Sequence, residues 1–469
     1  KNMSTWPSTA ELLRHFQDVA EEYGILPYTK MCTNIKELVI LSGTKQEQQA
    51  EMAAKQQGWA TQTYKLTLEP TDGNGDGRGD NIGATGDPLY EVEHSAVIMY
   101  PGNLTIPKKV TLKGEETFGG PLSYAIMNDF NYKEATGKQI AILGHGAFAV
   151  ENLRSCLEHS CAKAYMICRR KNISCPRVVS WFINQSMGPI SGPLYMKSNL
   201  PAYDLIGFDP WAYYAVHTNE KRSTVTLNQK SRFGIGDVYF LAIAMGMCEV
   251  VEGDIKRLSE RAVHMVSGQK IEADVCLKLY GFNGNFDVDR LMNIKSMFGW
   301  WPDEDFRRFV IAEPIGVNAT QFGGTSFSPG IRAWVEQSAH FLWYPSDWQI
   351  IINCGLMPKH PADPENDRPA YVVDARHGTS CTIAVSTVIQ ALATSVPGDL
   401  KRRKQLECHP MQRFLDECRG EWEDYGRKWK ALGAPRDCPP YPYTYANVQV
   451  LLDENDREAQ EQFQRQQNR

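Results

Sequence analysis

The stretch from Gln139 to Cys168 constrains this 469-residue chain more than any other part of it. Gln139-Ile140-Ala141-Ile142-Leu143 is an apolar run of strand length, and Gly144-His145-Gly146-Ala147-Phe148-Ala149 follows it without a spacer. Val150, Leu153 and Leu157 then recur at helical spacing, and Lys163–Cys168 supplies a second apolar run. Strand, glycine turn, helix and strand in that order make a βαβ unit, which demands a parallel sheet with helices on its faces. Each small residue of the G-x-G-x-x-A turn has a physical reason. Gly144 permits the sharp turn, Gly146 lets the backbone approach a pyrophosphate, and Ala149 keeps the helix close to the strand. The free amides of the helix's first turn attract an anion. His145, between the glycines, lies beside the expected pyrophosphate and is a candidate phosphate contact; a ring facing solvent is the other reading.

The end of the second strand selects among dinucleotides. An NAD site places an acid about 20 residues beyond the glycines, where it takes the ribose hydroxyls. This chain has Arg169, Arg170 and Lys171 there instead. Cations suit a 2′-phosphate, so the reading is NADP(H), with a solvated basic strand end as the plain alternative.

Composition bounds what surrounds this unit. At about 150 residues per domain the chain holds two to four domains. It is 42% hydrophobic and 22% charged, the balance of a folded protein. Its 50 Lys and Arg against 55 Asp and Glu leave a net charge of −5. That offers no broad cationic surface, so nucleic acid is not an expected partner. The longest apolar stretch, near Val238–Met247, is too short to span a bilayer. Twelve cysteines without a C-x-x-C pair favour a reduced soluble compartment, read as cytoplasmic with an organelle lumen left open. Cys156, Cys161, Cys168 and Cys175 lack zinc-ligand spacing, and no metal site is expected. Five Asn-x-Ser/Thr triplets, Asn172 among them, arise easily by chance.

Elsewhere, Ser8 and Glu11 form a capping-box spacing that starts a helix ending at Gly24. Strands are expected at Leu38–Leu41 and Trp59–Leu68, and a hairpin tip over Thr71–Gly86. In that tip Asp72, Asn74, Asp76 and Gly77 imitate half a calcium loop, but Gly83 stands where a bidentate Glu is needed. Ala96–Met99 reads as a strand, Val238–Met247 as a helix, and Cys248–Glu252, Ala262–Val266 and Lys270–Leu277 as strands. Gln349–Asn353 and Ala370–Val373 follow as strands, then Thr382–Leu392 as a helix. Phe298, Trp300, Trp301 and Trp343 either shape an apolar substrate pocket or belong to the core or an interface. After Ser395 the chain is charged and Pro-rich, the composition of an arm, and the polar tail of residues 453–469 reads as a solvated helix or an arm.

Taken in order, these motifs resemble the flavin-containing monooxygenases and the related Baeyer–Villiger enzymes, from about Trp6 to about Leu392. Trp6-Pro7-Ser8 and its helix resemble the segment that follows the family's FAD fingerprint. Ala96–Gly102 resembles the first crossing out of the FAD domain, and Gly144–Ala149 the second, NADP-binding fingerprint. Ile271–Phe282 resembles the return crossing, and Tyr371–Asp374 with Gly378 and Thr379 the last FAD-domain strand and helix. The resemblance implies an α/β fold with two Rossmann-like dinucleotide-binding domains, the NADP domain inserted into the FAD domain, plus a mostly helical C-terminal arm. Residues 1–102 would be the first FAD-domain part, 103–281 the inserted NADP-binding domain, 282–395 the FAD-domain return and substrate region, and 396–469 the arm. FAD and NADP(H) are the implied cofactors. Gly144, His145, Gly146, Ala149, Arg169 and Arg170 are the NADPH set; Asp374, Gly378 and Thr379 are the flavin-side set. Asp374 reads equally as a helix or turn cap. The implied reaction inserts one oxygen atom into a small organic substrate through a C4a-(hydro)peroxyflavin, with no catalytic side chain assigned.

The chain departs from the family in three places. No GxGxxG precedes Trp6, so the FAD fingerprint is expected on the protein's own preceding segment or on a companion polypeptide. The Ala-Thr-Gly of the two crossings is replaced by Tyr100-Pro101-Gly102 and Leu279-Tyr280-Gly281. The family's signature histidine is missing where Leu112, Gly114, Phe118 and Leu122 align. Two further readings follow: a non-catalytic assembly subunit that keeps the fold, and the large fragment of a split flavoprotein. Either is compatible with an oligomer.

Overall fold

Five parallel strands organise the structure, a computed structural model that describes residues 8–40, 64–73, 83–94, 106–126, 129–185, 190–229, 233–283, 349–352, 370–374 and 411–467. In chain order they are β1 (Leu122–Ser123), β2 (Gln139–Leu143), β3 (Lys163–Cys168), β4 (Cys248–Glu252) and β5 (Val275–Lys278). They lie side by side as β4-β3-β2-β5-β1, and every pairing is parallel. Strand β2 is central, and Ile140 to Leu143 are all fully buried, which is why its sequence is a continuous apolar run rather than an alternating one. The chain runs outward from β2 to β3 and β4, then returns to the other side of β2 as β5. Strand order therefore reverses between β2 and β5, and open sheets of this kind bind ligands beyond the carboxyl ends of the strands at such a reversal.

Helix α1 (Ala147–Glu158) connects β2 to β3, as the turn and its apolar periodicity predict. Helices α2 (Arg177–Gln185), α3 (Gly192–Ile206) and α4 (Asp237–Ala244) lie between β3 and β4. The apolar run expected as a helix to Met247 stops at Ala244. Gly246, at φ +78°, ends it, and a Cβ there would lie 2.6 Å from the Pro435 ring. A three-stranded antiparallel meander (Ile255–Ser259, Ala262–Met265, Lys270–Glu272) carries the chain from β4 to β5. The single strand expected over Lys270–Leu277 is thus two. Asp274 divides them, its carboxylate accepting from the Gln139 amide at 3.0 Å and from Arg261 at 2.7 Å.

The C-terminal helices α5 (Met411–Ala431) and α6 (Tyr445–Gln467) are not an outlying arm. Phe414, Leu415, Cys418, Trp422 and Trp429 recur on one face of α5 and are buried in the same core as α1 to α4. Phe414 stacks on Trp181 with centroids 5.9 Å apart. The Tyr443 hydroxyl donates to the Ser198 carbonyl at 2.9 Å. Charged residues dominate the composition here because they cover the other faces, and the last turns of α6 carry the exposed Glu461 and Arg465. A buried ionic cluster reinforces the join. Arg177 gives its backbone amide and Nε to the two oxygens of Asp237 at 3.0 and 2.9 Å, and its guanidinium also pairs with Glu421 of α5. Glu421 in turn accepts from Arg154 of α1 at 2.8 Å.

The N-terminal helix, Thr9–Glu22, carries the expected capping box between Ser8 and Glu11. Strands Thr33–Ile40, Tyr64–Pro70 and Tyr90–His94 form an antiparallel sheet around Leu38, Leu66 and Leu68. Thr71 bridges Ala84, and the Asp72 amide donates to the Gly83 carbonyl at 2.8 Å, closing the expected hairpin at its base. Ile106–Pro107 pairs antiparallel with Phe282–Asn283, so the segments on either side of the parallel sheet meet. Gln349–Ile352 pairs antiparallel with Ala370–Asp374. Ala96–Gly102, Thr382–Leu392 and the aromatic set Phe298, Trp300, Trp301 and Trp343 lie outside the described residues. Among the described residues, no helix is long and apolar enough to cross a membrane.

Candidate functional site

The glycine turn sits where the strand order reverses. The Gly144 amide donates to the Ile167 carbonyl of β3 at 2.9 Å, while the Leu279 amide donates to the Leu143 carbonyl at 2.9 Å. Gly144 has φ +148°, and a Cβ on it would lie 2.5 Å from the Leu279 carbonyl oxygen. Only glycine fits both the backbone angle and the gap. Gly146 caps α1 in extended conformation, with φ −97° and ψ −174°, and supplies no capping side chain of its own. Ala149 is fully buried at the helix start. Its amide and that of Val150 turn back onto the Gly146 carbonyl at 3.0 and 3.1 Å. The Ala147 and Phe148 amides precede any intrahelical acceptor and, with the helix dipole, form the anion-attracting end.

The His145 ring does not face solvent. It is 4% exposed and turned inward. The Asn172 amide donates to Nδ1 at 3.2 Å, so Nε2 carries the proton and donates to the Tyr239 hydroxyl at 2.9 Å. Burial lowers its pKa to about 4, which keeps the imidazole neutral at physiological pH. With both ring nitrogens engaged, His145 shapes the turn from beneath.

Beyond β3 the three expected cations separate by partner. Lys171 pairs with Glu252 at 3.4 Å and lies 4.8 Å from the Phe208 ring centroid. Arg169 and Arg170 are exposed, and neither has a carboxylate partner among the described residues. The Arg170 guanidinium lies 5.3 Å from the Tyr214 ring centroid. Exposed arginines at the end of the strand that follows a glycine turn can take an anionic group that the turn itself does not reach.

Asn172, Tyr214 and Tyr239 escaped the sequence reading. Asn172 looked like a chance sequon, yet its side-chain amide donates to the His145 carbonyl at 2.9 Å and accepts from the Tyr214 hydroxyl at 2.7 Å. No local pattern announces partners that come from separate loops. The grouped cysteines are buried; burial pushes Cys161 and Cys168 up to about 12 and raises Cys156 and Cys175 further, the state of inert packing thiols. Asp374 ends the strand paired with Gln349–Ile352, and Gly378 and Thr379 lie outside the described residues.

No protein-family model matches the chain. The chain is similar to an FAD-binding monooxygenase, ktnD, of Aspergillus niger, at 21% identity over 146 residues. Its similarity is to the flavin monooxygenases. That match covers 31% of this chain and 20% of the relative, well short of the relative's whole length. Among solved structures, a cyclohexanone-bound cyclohexanone monooxygenase is 14% identical with a TM-score of 0.39, covering 64% of this chain and 65% of that one. The cyclohexanone monooxygenase from Rhodococcus sp. Phi1 bound to NADP+ is 13% identical with a TM-score of 0.38, over 63% and 62% of the two chains. A steroid monooxygenase bound to NADP is 14% identical with a TM-score of 0.36, over 61% and 60%. Likenesses this loose leave the function to be argued from the chain's own residues.

Proposed function

We propose that the chain binds NADP(H) across the Gly144 turn and serves an FAD- and NADPH-dependent oxidoreductase of the monooxygenase kind, which inserts one oxygen atom into a small organic substrate. The observation that carries this reading is the glycine turn at the strand reversal with two exposed arginines at the end of the next strand, neither with a carboxylate partner among the described residues. The residues suit the nucleotide. Gly144 and Gly146 keep side chains out of the pyrophosphate's path, and the Ala147 and Phe148 amides face its charge. Arg169 and Arg170 hold the 2′-phosphate. The His145 ring contributes by fixing the turn's shape, since its nitrogens are engaged inside.

The NADP unit is read as the inserted domain of residues 103–281, and the pairing of Ile106–Pro107 with Phe282–Asn283 supports an entry and an exit side by side. The C-terminal helices belong to the same unit through their shared core. FAD would supply the oxygen chemistry when bound. Asp374 is the one flavin-side candidate among the described residues.

The test is an absorption spectrum of the natively purified protein with its partners, before and after anaerobic NADPH. A flavin spectrum that bleaches with NADPH and recovers in air is the expected result. Flavin that does not bleach, or no flavin in an intact preparation, would move the assignment to a non-catalytic assembly subunit.

A further inference from the structure

One chain of contacts joins the two places an NADP(H) molecule would touch. Arg170, at the end of β3, lies over the Tyr214 ring, 5.3 Å from its centroid. The Tyr214 hydroxyl donates to the Asn172 side-chain carbonyl at 2.7 Å. Asn172 then grips the glycine turn twice, through its side-chain amide on the His145 carbonyl at 2.9 Å and its backbone amide on His145 Nδ1 at 3.2 Å. His145 closes the series on the buried Tyr239 at 2.9 Å. Lys171, between Arg170 and Asn172, is held separately by Glu252. The arrangement sets the Arg170 guanidinium relative to the Gly144–Ala149 turn.

We infer that Tyr214 is a positioning residue for dinucleotide selectivity: its ring holds Arg170 where a 2′-phosphate would lie, and its hydroxyl, through Asn172, registers that arginine to the pyrophosphate turn. An exposed arginine samples many rotamers, and freezing it before the ligand arrives removes an ordering cost from binding. The aromatic face also attracts the guanidinium directly. The inference rests on the reading of the turn as an NADP(H) site. It adds that selectivity comes from a residue that need not touch the nucleotide and lies 42 positions along the chain from Asn172.

The experiment measures dissociation constants of NADPH and NADH by calorimetry on the full-length protein, so no turnover is required. Tyr214→Leu removes both ring and hydroxyl. It is expected to weaken NADPH about tenfold while leaving NADH within about twofold, the size of a lost cation–π contact with its anchor. Tyr214→Phe keeps the ring and should restore part of the preference. Asn172→Ala unties Tyr214 from the turn and should lower the preference with Arg170 still present. Unchanged NADH binding shows that each Tyr214 variant is folded, whereas Asn172→Ala also removes the bond to the His145 carbonyl, is expected to weaken both nucleotides, and is read from their ratio. A preference for NADPH that survives Tyr214→Leu, in a protein where Arg169→Ala with Arg170→Ala abolishes it, overturns this inference and leaves the site reading intact. A wild-type protein that binds neither nucleotide overturns both.

Discussion

The carbonyl oxygen of Leu279 occupies the space that a side chain on Gly144 would need, 2.5 Å from the position of its Cβ. The two residues leave β2 and β5 side by side, so the contact fixes the mouth of the sheet where its strand order reverses. The obstacle is backbone, which cannot swing aside as a side-chain tip would. Gly144→Ala is expected to cost about 3 kcal/mol of stability through overlap and backbone strain, and to abolish NADPH binding in whatever protein still folds. Denaturant titration with calorimetry checks it; an alanine variant of wild-type stability and affinity would show that the turn is not held this tightly.

Buried His145 makes stability depend on pH. Its folded pKa is about 4 against an ordinary 6.5. Between those values the unfolded chain binds a proton that the folded protein refuses, so stability is whole above about pH 6.5 and falls as pH drops toward 4. The shift corresponds to a loss of up to about 3 kcal/mol. Urea midpoints from pH 7.5 to 4.5 should show the decline, and His145→Gln should flatten it relative to wild type. Parallel curves for the two proteins would contradict the buried neutral ring.

The Arg177–Asp237 pair tests whether α5 is integral to the parallel-sheet unit. Both side chains are nearly fully buried, at 6% and 5% exposure. Burial opposes the charge of Arg177, but the Asp237 and Glu421 carboxylates hold its guanidinium above the ordinary range. Asp237→Ala leaves that cation buried with a partner missing and is expected to cost about 3–5 kcal/mol. Breaking the surface pair Lys163–Glu249, exposed at 35% and 47%, should cost under about 1 kcal/mol. Chemical denaturation ranks the two. In the Asp237 variant, limited proteolysis should also cut earlier between α4 and α5.

What was legible in the sequence was what short spacing encodes. The five-residue apolar run of β2, the glycine turn and the amphipathic pattern of α1 are local, and the structure places all three as the spacing predicts. The break between Lys270–Glu272 and β5 hid within one expected strand because Asp274, which divides them, is held by Gln139, 135 positions away, and by Arg261 in the turn before. The C-terminal helices were masked by composition: a stripe of Phe414, Leu415, Cys418, Trp422 and Trp429 is diluted by the charges on the other faces. At the site, residue type alone named Arg169 and Arg170, but only the fold separates them from Lys171, whose carboxylate partner lies on another strand. Residue type alone leaves His145 facing phosphate or solvent, because nothing nearby in sequence reveals Tyr239 and Asn172 around it.

That separation of the cations yields a sharper prediction than a basic patch would. If Arg169 and Arg170 hold a 2′-phosphate, replacing both by alanine should weaken NADPH by about ten- to a hundredfold, the worth of lost charge-assisted hydrogen bonds, and leave NADH nearly unchanged. Lys171→Ala removes a cation already paired with Glu252 and should alter the ratio far less. The wild-type preference should also shrink as salt rises, because both arginines are exposed and their attraction is screened. Calorimetric titrations at low and high salt read all three effects. Equal losses for both nucleotides would mean that the arginines support the fold, and a dominant effect of Lys171 would mean that its pair with Glu252 opens to receive the ligand.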